Sequence, residues 1–365
     1  MESILISTSR LGTAIPDYFK YLAEEFTNNN FSVIFIFDGK VKNLPPNKEN
    51  VKYFTYPNQR PTRLKDFIFL SKIIKKEKPV LCISNFGSTN IVTIASYIFR
   101  TSLRINYFHT SPQQLKIDSK RNSVYNWFLK QRKILILKIN THIITNSSTM
   151  SNLIAKSYKI KKDKISVLPY LLEKSKNKWK PIDKRELSIC IVGRLSLSKG
   201  HKNLLYEFNE CIKIVPKLKL LIVGDGPEKN TLQKLTESLN QNNRVAFLGN
   251  IPNKDIGTIF SNCFASISAS KSEAFGIVNI ESLREGTPVI CTNTEGAKDI
   301  IVNGKNGFIV DLTKKNDLAK KIELVLENWE KYSKNALQTF EKEYAKHNIP
   351  SHYQNIVNKL KKKSI

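Results

Sequence analysis

Two carboxylates, Glu273 and Glu281, flank a glycine in the run Ser272-Glu273-Ala274-Phe275-Gly276-Ile277-Val278-Asn279-Ile280-Glu281. A helix is expected to begin near Phe275. The first turn of a helix carries N–H groups without partners and a dipole that favours anions, so Phe275, Gly276 and Ile277 could cradle a diphosphate. Gly276 lets the backbone come close to it. Glu281 then falls on the second turn, roughly 7–9 Å along the axis, while Glu273 stays on the loop. One carboxylate could accept hydrogen bonds from sugar hydroxyls and the other from a ribose diol. That order of parts suits a nucleotide-sugar.

Further groups could serve the same anion. In Val192-Gly193-Arg194-Leu195-Ser196-Leu197-Ser198-Lys199-Gly200 a strand end opens into a loop whose Arg194 and Lys199 could neutralise a diphosphate. Leu221-Ile222-Val223-Gly224-Asp225-Gly226-Pro227 is a strand running into a tight turn, and Phe247-Leu248-Gly249-Asn250 is another strand end. Gly12 follows the first strand and could bring backbone N–H groups to a phosphate. His109 ends the strand Ile105–Phe108, at the carboxyl edge where parallel sheets place ligands.

From Cys190 to about Asp311 these segments resemble, in order, the Glu-x7-Glu element and its surroundings in the large retaining GT-B glycosyltransferases of family four, the glycosyl transferases group 1. The resemblance implies that Glu273 contacts the transferred sugar and Glu281 the ribose. It implies that Arg194 and Lys199 bind the diphosphate and that the backbone at Gly249 meets the base. His109 is expected near the reacting sugar, binding the donor sugar or orienting the acceptor. The family usually shows two adjacent glycines after the first strand; this chain has Leu11-Gly12-Thr13. The resemblance also implies retention of configuration, a UDP- or GDP-linked sugar as substrate, no further cofactor and no metal. No Asp-x-Asp metal clamp occurs in the sequence.

These residues need two sheets to position them. The chain has 365 residues, long for one ordinary core. Strands at Ile4–Ser7, Ser32–Phe37, Pro79–Ser84, Leu103–Phe108 and His142–Thr145 alternate with helical segments, including Pro16–Asn28 and Ile91–Phe99. A second series runs from Ser188 to Val310. The expected fold class is therefore α/β, GT-B, with two Rossmann-like doubly wound parallel-sheet domains facing a central cleft. The expected division is an acceptor-side domain over 1–172, a polar linker over 173–187, a nucleotide-sugar domain over 188–334, and a helix over 335–365 crossing back.

The net charge is +28. Residues 1–180 hold 31 basic and 11 acidic residues, a net +20, and the rest only +8. The basic half points to an anionic partner. Arg121–Ile139 mixes aromatics with cations, which suits a membrane interface or a helix packed with snorkelling lysines. A catalysis-free module holding nucleic acid or an anionic surface is the alternative from another class, although no RNP, KH or helix-turn-helix signature supports nucleic acid. A GT-B phosphorylase or sugar-nucleotide epimerase keeps the fold and changes the reaction. Five cysteines without a paired motif read as reduced thiols, and no apolar run approaches a membrane span. The expected place is the cytoplasm, with peripheral attachment at the inner face of the cell membrane allowed by the charge. The expected acceptor is a glycan or lipid-linked glycan of surface polysaccharide biosynthesis.

Overall fold

The computed structural model describes residues 1–9, 14–39, 44–113, 117 and 123–362. Gly12 lies outside them. The chain divides into two compact units. One comprises Met1–His109, Arg121–Leu172 and Lys346–Ile365; the other comprises Thr110–Lys120 and Glu173–Ala345.

The first unit is built from β1 (Glu2–Thr8), α1 (Ala14–Asn28), β2 (Phe31–Phe37), β3 (Val51–Thr55), α2 (Leu64–Glu77), β4 (Leu81–Ser84), α3 (Thr89–Ile98), β5 (Leu103–Phe108), α4 (Ser123–Ile139), β6 (His142–Thr145), α5 (Ser148–Tyr158) and β7 (Ile165–Val167). The strands form one sheet in the order β3-β2-β1-β4-β5-β6-β7, and every pairing is parallel. Runs such as Ile4-Leu5-Ile6 and Val33-Ile34-Phe35-Ile36-Phe37 are buried throughout, as both faces of a parallel sheet require. Ser147 caps α5, its Oγ accepting from the Met150 N–H at 3.1 Å.

The second unit continues with β8 (Glu186–Val192), α6 (His201–Ile214), β9 (Lys219–Val223), α7 (Lys229–Ser238), β10 (Val245–Gly249), α8 (Asn253–Asn262), β11 (Cys263–Ser268), α9 (Ile277–Arg284), β12 (Val289–Thr292), α10 (Ala297–Ile300), β13 (Gly307–Val310), α11 (Asp317–Glu327) and α12 (Trp329–Glu343). Its parallel sheet has the order β10-β9-β8-β11-β12-β13. In both sheets the order reverses beside the first strand, at β1/β4 and at β8/β11. Such a switch point is where open α/β sheets bind ligands. The last helix, α13 (Ile349–Lys361), packs on α1 of the first unit, with Phe26 and Tyr353 edge to face at 5.1 Å.

The boundaries differ from the sequence reading in three places, the first being that Thr110–Lys120 falls with the second unit and interrupts the domain expected over 1–172. The polar stretch 173–187 is part of the second unit and not a free linker. The Trp179 indole N–H donates to Ser333 Oγ at 2.9 Å, and the buried Arg185 guanidinium donates to Thr287 Oγ1 at 2.7 Å and the Cys263 carbonyl at 3.0 Å. The return to the first unit begins at Lys346 and not at 335, because α12 stays with the second unit, where Trp329, Ala336 and Phe340 are buried.

Candidate functional site

Three loops at the carboxyl edge of the second sheet are zipped together by their backbones. The Gly193 N–H donates to Val223 O at 2.9 Å, Leu195 N–H to Asp225 O at 3.0 Å, and Gly224 N–H to Gly249 O at 2.7 Å. The crossing is too close for side chains: a Cβ on Gly224 would stand 2.0 Å from the Gly193 carbonyl oxygen. Gly249, at the end of β10, is thus tied through Gly224 to the loop that carries Arg194. Arg194 is exposed, with no side-chain partner among the described residues. Asp225 serves the turn, its carboxylate accepting from the Gly226 N–H at 2.7 Å and Lys229 Nζ at 3.2 Å.

A second crossing sets Lys199. Gly200 has φ +70° and lies against Ala269, where a Cβ would stand 1.9 Å from the carbonyl oxygen. The Lys271 N–H donates to Ser198 O at 2.8 Å. The loops after β8 and β11 are thereby held together, and Lys199 Nζ pairs with Glu273 Oε2. Ser270 Oγ also donates to that oxygen, at 3.4 Å.

Helix α9 begins at Ile277, two residues after the expected Phe275. Gly276 has φ +85°, which a right-handed helix interior does not accommodate, so it caps the helix from outside. Phe275 is buried and its ring packs edge to face on Tyr344 at 6.3 Å. Glu281 still falls on the second turn of α9. It is 6% exposed, and its carboxylate has no hydrogen-bond donor among the described residues. Burial pushes it up to about 7, with Glu285 adding and Arg284 opposing.

Sequence reasoning missed Glu295. Its carboxylate accepts from Ser272 Oγ at 3.2 Å, Ser111 Oγ at 3.2 Å and the Glu273 N–H at 3.3 Å, and so holds the loop bearing Glu273. The signal was an acidic residue in Thr294-Glu295-Gly296 just past β12. His201 was passed over too. It is 2% exposed, lines a cavity of about 10 Å³ beside Lys199, and neither ring nitrogen has a hydrogen-bond partner among the described residues. Burial, then Lys199, pushes it down to about 4.

In the first unit His109 follows β5. Its ring lies between Phe86, at 4.4 Å and 19°, and Tyr170, whose hydroxyl meets Nδ1. Part of its surface remains open. Burial, then Lys133, pushes it down to about 3, so the imidazole is neutral at any working pH. Lys133 of α4 was not singled out from the sequence. Its ammonium lies 4.6 Å from the Phe108 ring centre, and burial lowers it to about 8.

The second unit thus brings Lys199 together with Glu273, beside the glycine-capped helix that bears Glu281, and ties Gly249 through Gly224 to the Arg194 loop. A helix N-terminus and two cations at the switch point of a Rossmann-like sheet make an arrangement able to hold an anion. Residues 173–340 match the family described as glycosyl transferases group 1. The capsular polysaccharide biosynthesis glycosyltransferase CapM of Staphylococcus aureus is 26% identical over 305 residues, which cover 80% of this chain and 77% of that protein. Among solved structures, sucrose-phosphate synthase from Thermosynechococcus elongatus aligns with a TM-score of 0.80 at 17% identity, over 99% of both chains. Anabaena HepE in complex with UDP and glucose aligns with a TM-score of 0.79 at 18% identity, over 98% of this chain and 100% of that one. The fold is GT-B, with two Rossmann-like parallel-sheet units in one chain.

Proposed function

We propose that this glycosyltransferase is a retaining enzyme that moves a sugar from a UDP- or GDP-linked donor to a glycan or lipid-linked glycan acceptor in surface polysaccharide biosynthesis. The observation that carries this reading is the Lys199–Glu273 pair beside the Gly276-capped helix, with Arg194 exposed nearby. The diphosphate takes Lys199 from Glu273, and Arg194 and the first N–H groups of α9 share its charge. Glu273 is then free for the sugar hydroxyls, and Glu281 accepts from the ribose diol. Gly249 meets the base through its backbone. No metal ion or further cofactor is called upon. In the transfer the bond from C1 to the phosphate oxygen breaks and the bond from C1 to the acceptor oxygen forms on the same face. The acceptor's proton passes to the departing phosphate oxygen. His109, being neutral, binds or orients a sugar by hydrogen bonding and not by charge. The CapM likeness supports a polysaccharide acceptor, and the HepE complex supports a UDP-linked donor.

The place of action in this reading is the cytoplasmic face of a membrane. No described helix is long and apolar enough to cross one. Helix α4 exposes Val124, Tyr125, Trp127, Phe128 and Leu135 among Lys130, Arg132 and Lys138, a composition suited to an anionic interface.

A thermal-shift screen with UDP, GDP and ADP sugars tests the donor. Binding to the native state raises the melting temperature. One nucleotide series should do so in the wild type and fail in Lys199→Ala. A wild type indifferent to all three would refute the reading.

A further inference from the structure

We propose that Asp38 and Asn85 form a hydroxyl-binding subsite for the acceptor sugar at the switch point of the first sheet. The identity of the ligand as an acceptor rests on the glycosyltransferase reading. The binding site itself rests on the first unit alone.

Asp38 follows β2 and Asn85 follows β4, the two strands that flank β1. Both converge on Thr8 at the end of β1. The Asp38 N–H donates to Thr8 O at 2.9 Å, and Asn85 Nδ2 donates to Thr8 Oγ1 at 3.1 Å. The Asp38 bond uses only its backbone, and the Asn85 bond only its amide nitrogen. Asp38 Oδ1 and Asn85 Oδ1 are both buried, and neither has a hydrogen-bond partner among the described residues. Asp38 is 9% exposed and Asn85 not at all. A buried acceptor left without a donor is destabilising, and two of them just past the strands that flank β1 call for an explanation beyond packing. Both need donors, so a ligand that fits brings hydroxyl groups. A hard cation fits less well, since Ca²⁺ takes about 6–8 oxygens and no cluster of three or more metal-ligating side chains occurs among the described residues.

The adjoining turn points the same way. Phe86 has φ +47°, a left-handed conformation that is strained for a bulky side chain. It is 42% exposed and stacks on His109. An aromatic face beside hydroxyl acceptors suits a sugar ring, whose C–H face is apolar and whose edge is polar. Gly87 ties this turn to the carboxylate, since a Cβ there would stand 3.3 Å from Asp38 Oδ2. The titratable groups facing Asp38 are Asp66 of α2 and Tyr56 beyond β3. Asp66 is already occupied by the Asn58 N–H at 3.1 Å, Asn58 Nδ2 at 3.0 Å and the Arg63 N–H at 3.0 Å. Burial, then Asp66, pushes Asp38 up to about 7. Hydroxyl donors from a ligand would favour its ionised form.

The test uses the full chain, with D-glucose, D-galactose, N-acetylglucosamine and D-glucosamine as probes in saturation-transfer NMR and crystal soaking. At least one should bind the wild type, with its hydroxyls on the two oxygens. Asp38→Leu and Asn85→Leu should each weaken it at least tenfold. Asp38→Asn should weaken it less, yet melt higher than the wild type at pH 8, because a buried charge has gone while the shape remains. A residue that served only the fold would not give that opposite pair of changes. If Asn85→Leu does not fold, the two Asp38 variants decide. No binding by any probe overturns the proposal, as does equal binding by the variants or an ordered water alone between the oxygens. Loss of nucleotide-sugar binding by the wild type speaks against the enzyme reading and leaves the subsite standing.

Discussion

Lys199 and Glu273 are paired before any ligand arrives, with side chains 19% and 15% exposed. An incoming diphosphate therefore exchanges one anion for another at Lys199, and desolvation of the ammonium is largely complete beforehand. Removing a preorganised donor of this kind costs about 10²–10³-fold in kcat when its main work is in the transition state. Lys199→Ala should show that fall in initial rates while its far-ultraviolet dichroism stays unchanged. Glu281 gives a pH signature. Its carboxyl, raised to about 7 mainly by burial, binds a ribose diol better when ionised. Donor Kd should therefore fall as pH rises from 6 to 8 and then level off, and Glu281→Gln should flatten the curve in isothermal titration. The sign for stability is opposite. A folded pKa above the unfolded value makes the contribution greatest below about 4.5 and lost as pH climbs toward 7.

Elements place these residues through backbone crossings. The loops after β8, β9 and β10 touch at Gly193, Gly224 and Gly249. Gly224 has φ +130°, and any Cβ there overlaps the Gly193 carbonyl. Gly224→Ala should push the Arg194 loop outward, lower the melting temperature of the second unit and weaken nucleotide binding together. Calorimetry showing a wild-type transition, with unchanged donor affinity, would contradict the crossing as described. Much of this level was legible. Periodicity placed β1, β2, β4, β5 and the run of strands from β8 onward, because buried parallel strands are continuous apolar runs bounded by turn residues. It missed β3 and β7, which are only partly buried. It missed α2, whose packed face is narrow: Leu70, Ile73 and Ile74 are buried among six charged neighbours. The start of α9 was set too early because only the positive φ at Gly276 stops the helix short of Phe275.

For the whole molecule, most of the net positive charge lies in residues 1–180, and two of the most exposed aromatics sit side by side on α4. Trp127 is 55% exposed and Phe128 61%, and each lies near cations on α4. On vesicles rich in phosphatidylglycerol, binding should fall as salt is raised from 50 to 500 mM, since screening shortens the reach of lysines. Trp127→Ser with Phe128→Ser should reduce it further, with sugar transfer to a soluble acceptor unaffected. Salt-independent binding, or none by the wild type, would remove the membrane from the account.

The residue order alone specified two alternating β/α series, the glycine-bounded run from Glu273 to Glu281, and the Arg194–Lys199 loop. These are local facts, since strand length, turn chemistry and helix spacing are all set by near neighbours. Tertiary structure decided what meets across distance. It paired Lys199 with Glu273, brought Glu295 under the Glu273 loop and buried Glu281 so that its carboxyl rose. It kept residues 173–187 with the second unit through Arg185 and Trp179, and left Asp38 and Asn85 with unmatched oxygens beside Thr8. Each of these depends on side chains far apart in the chain and on the water excluded between them, and neither quantity is written in a string of residues.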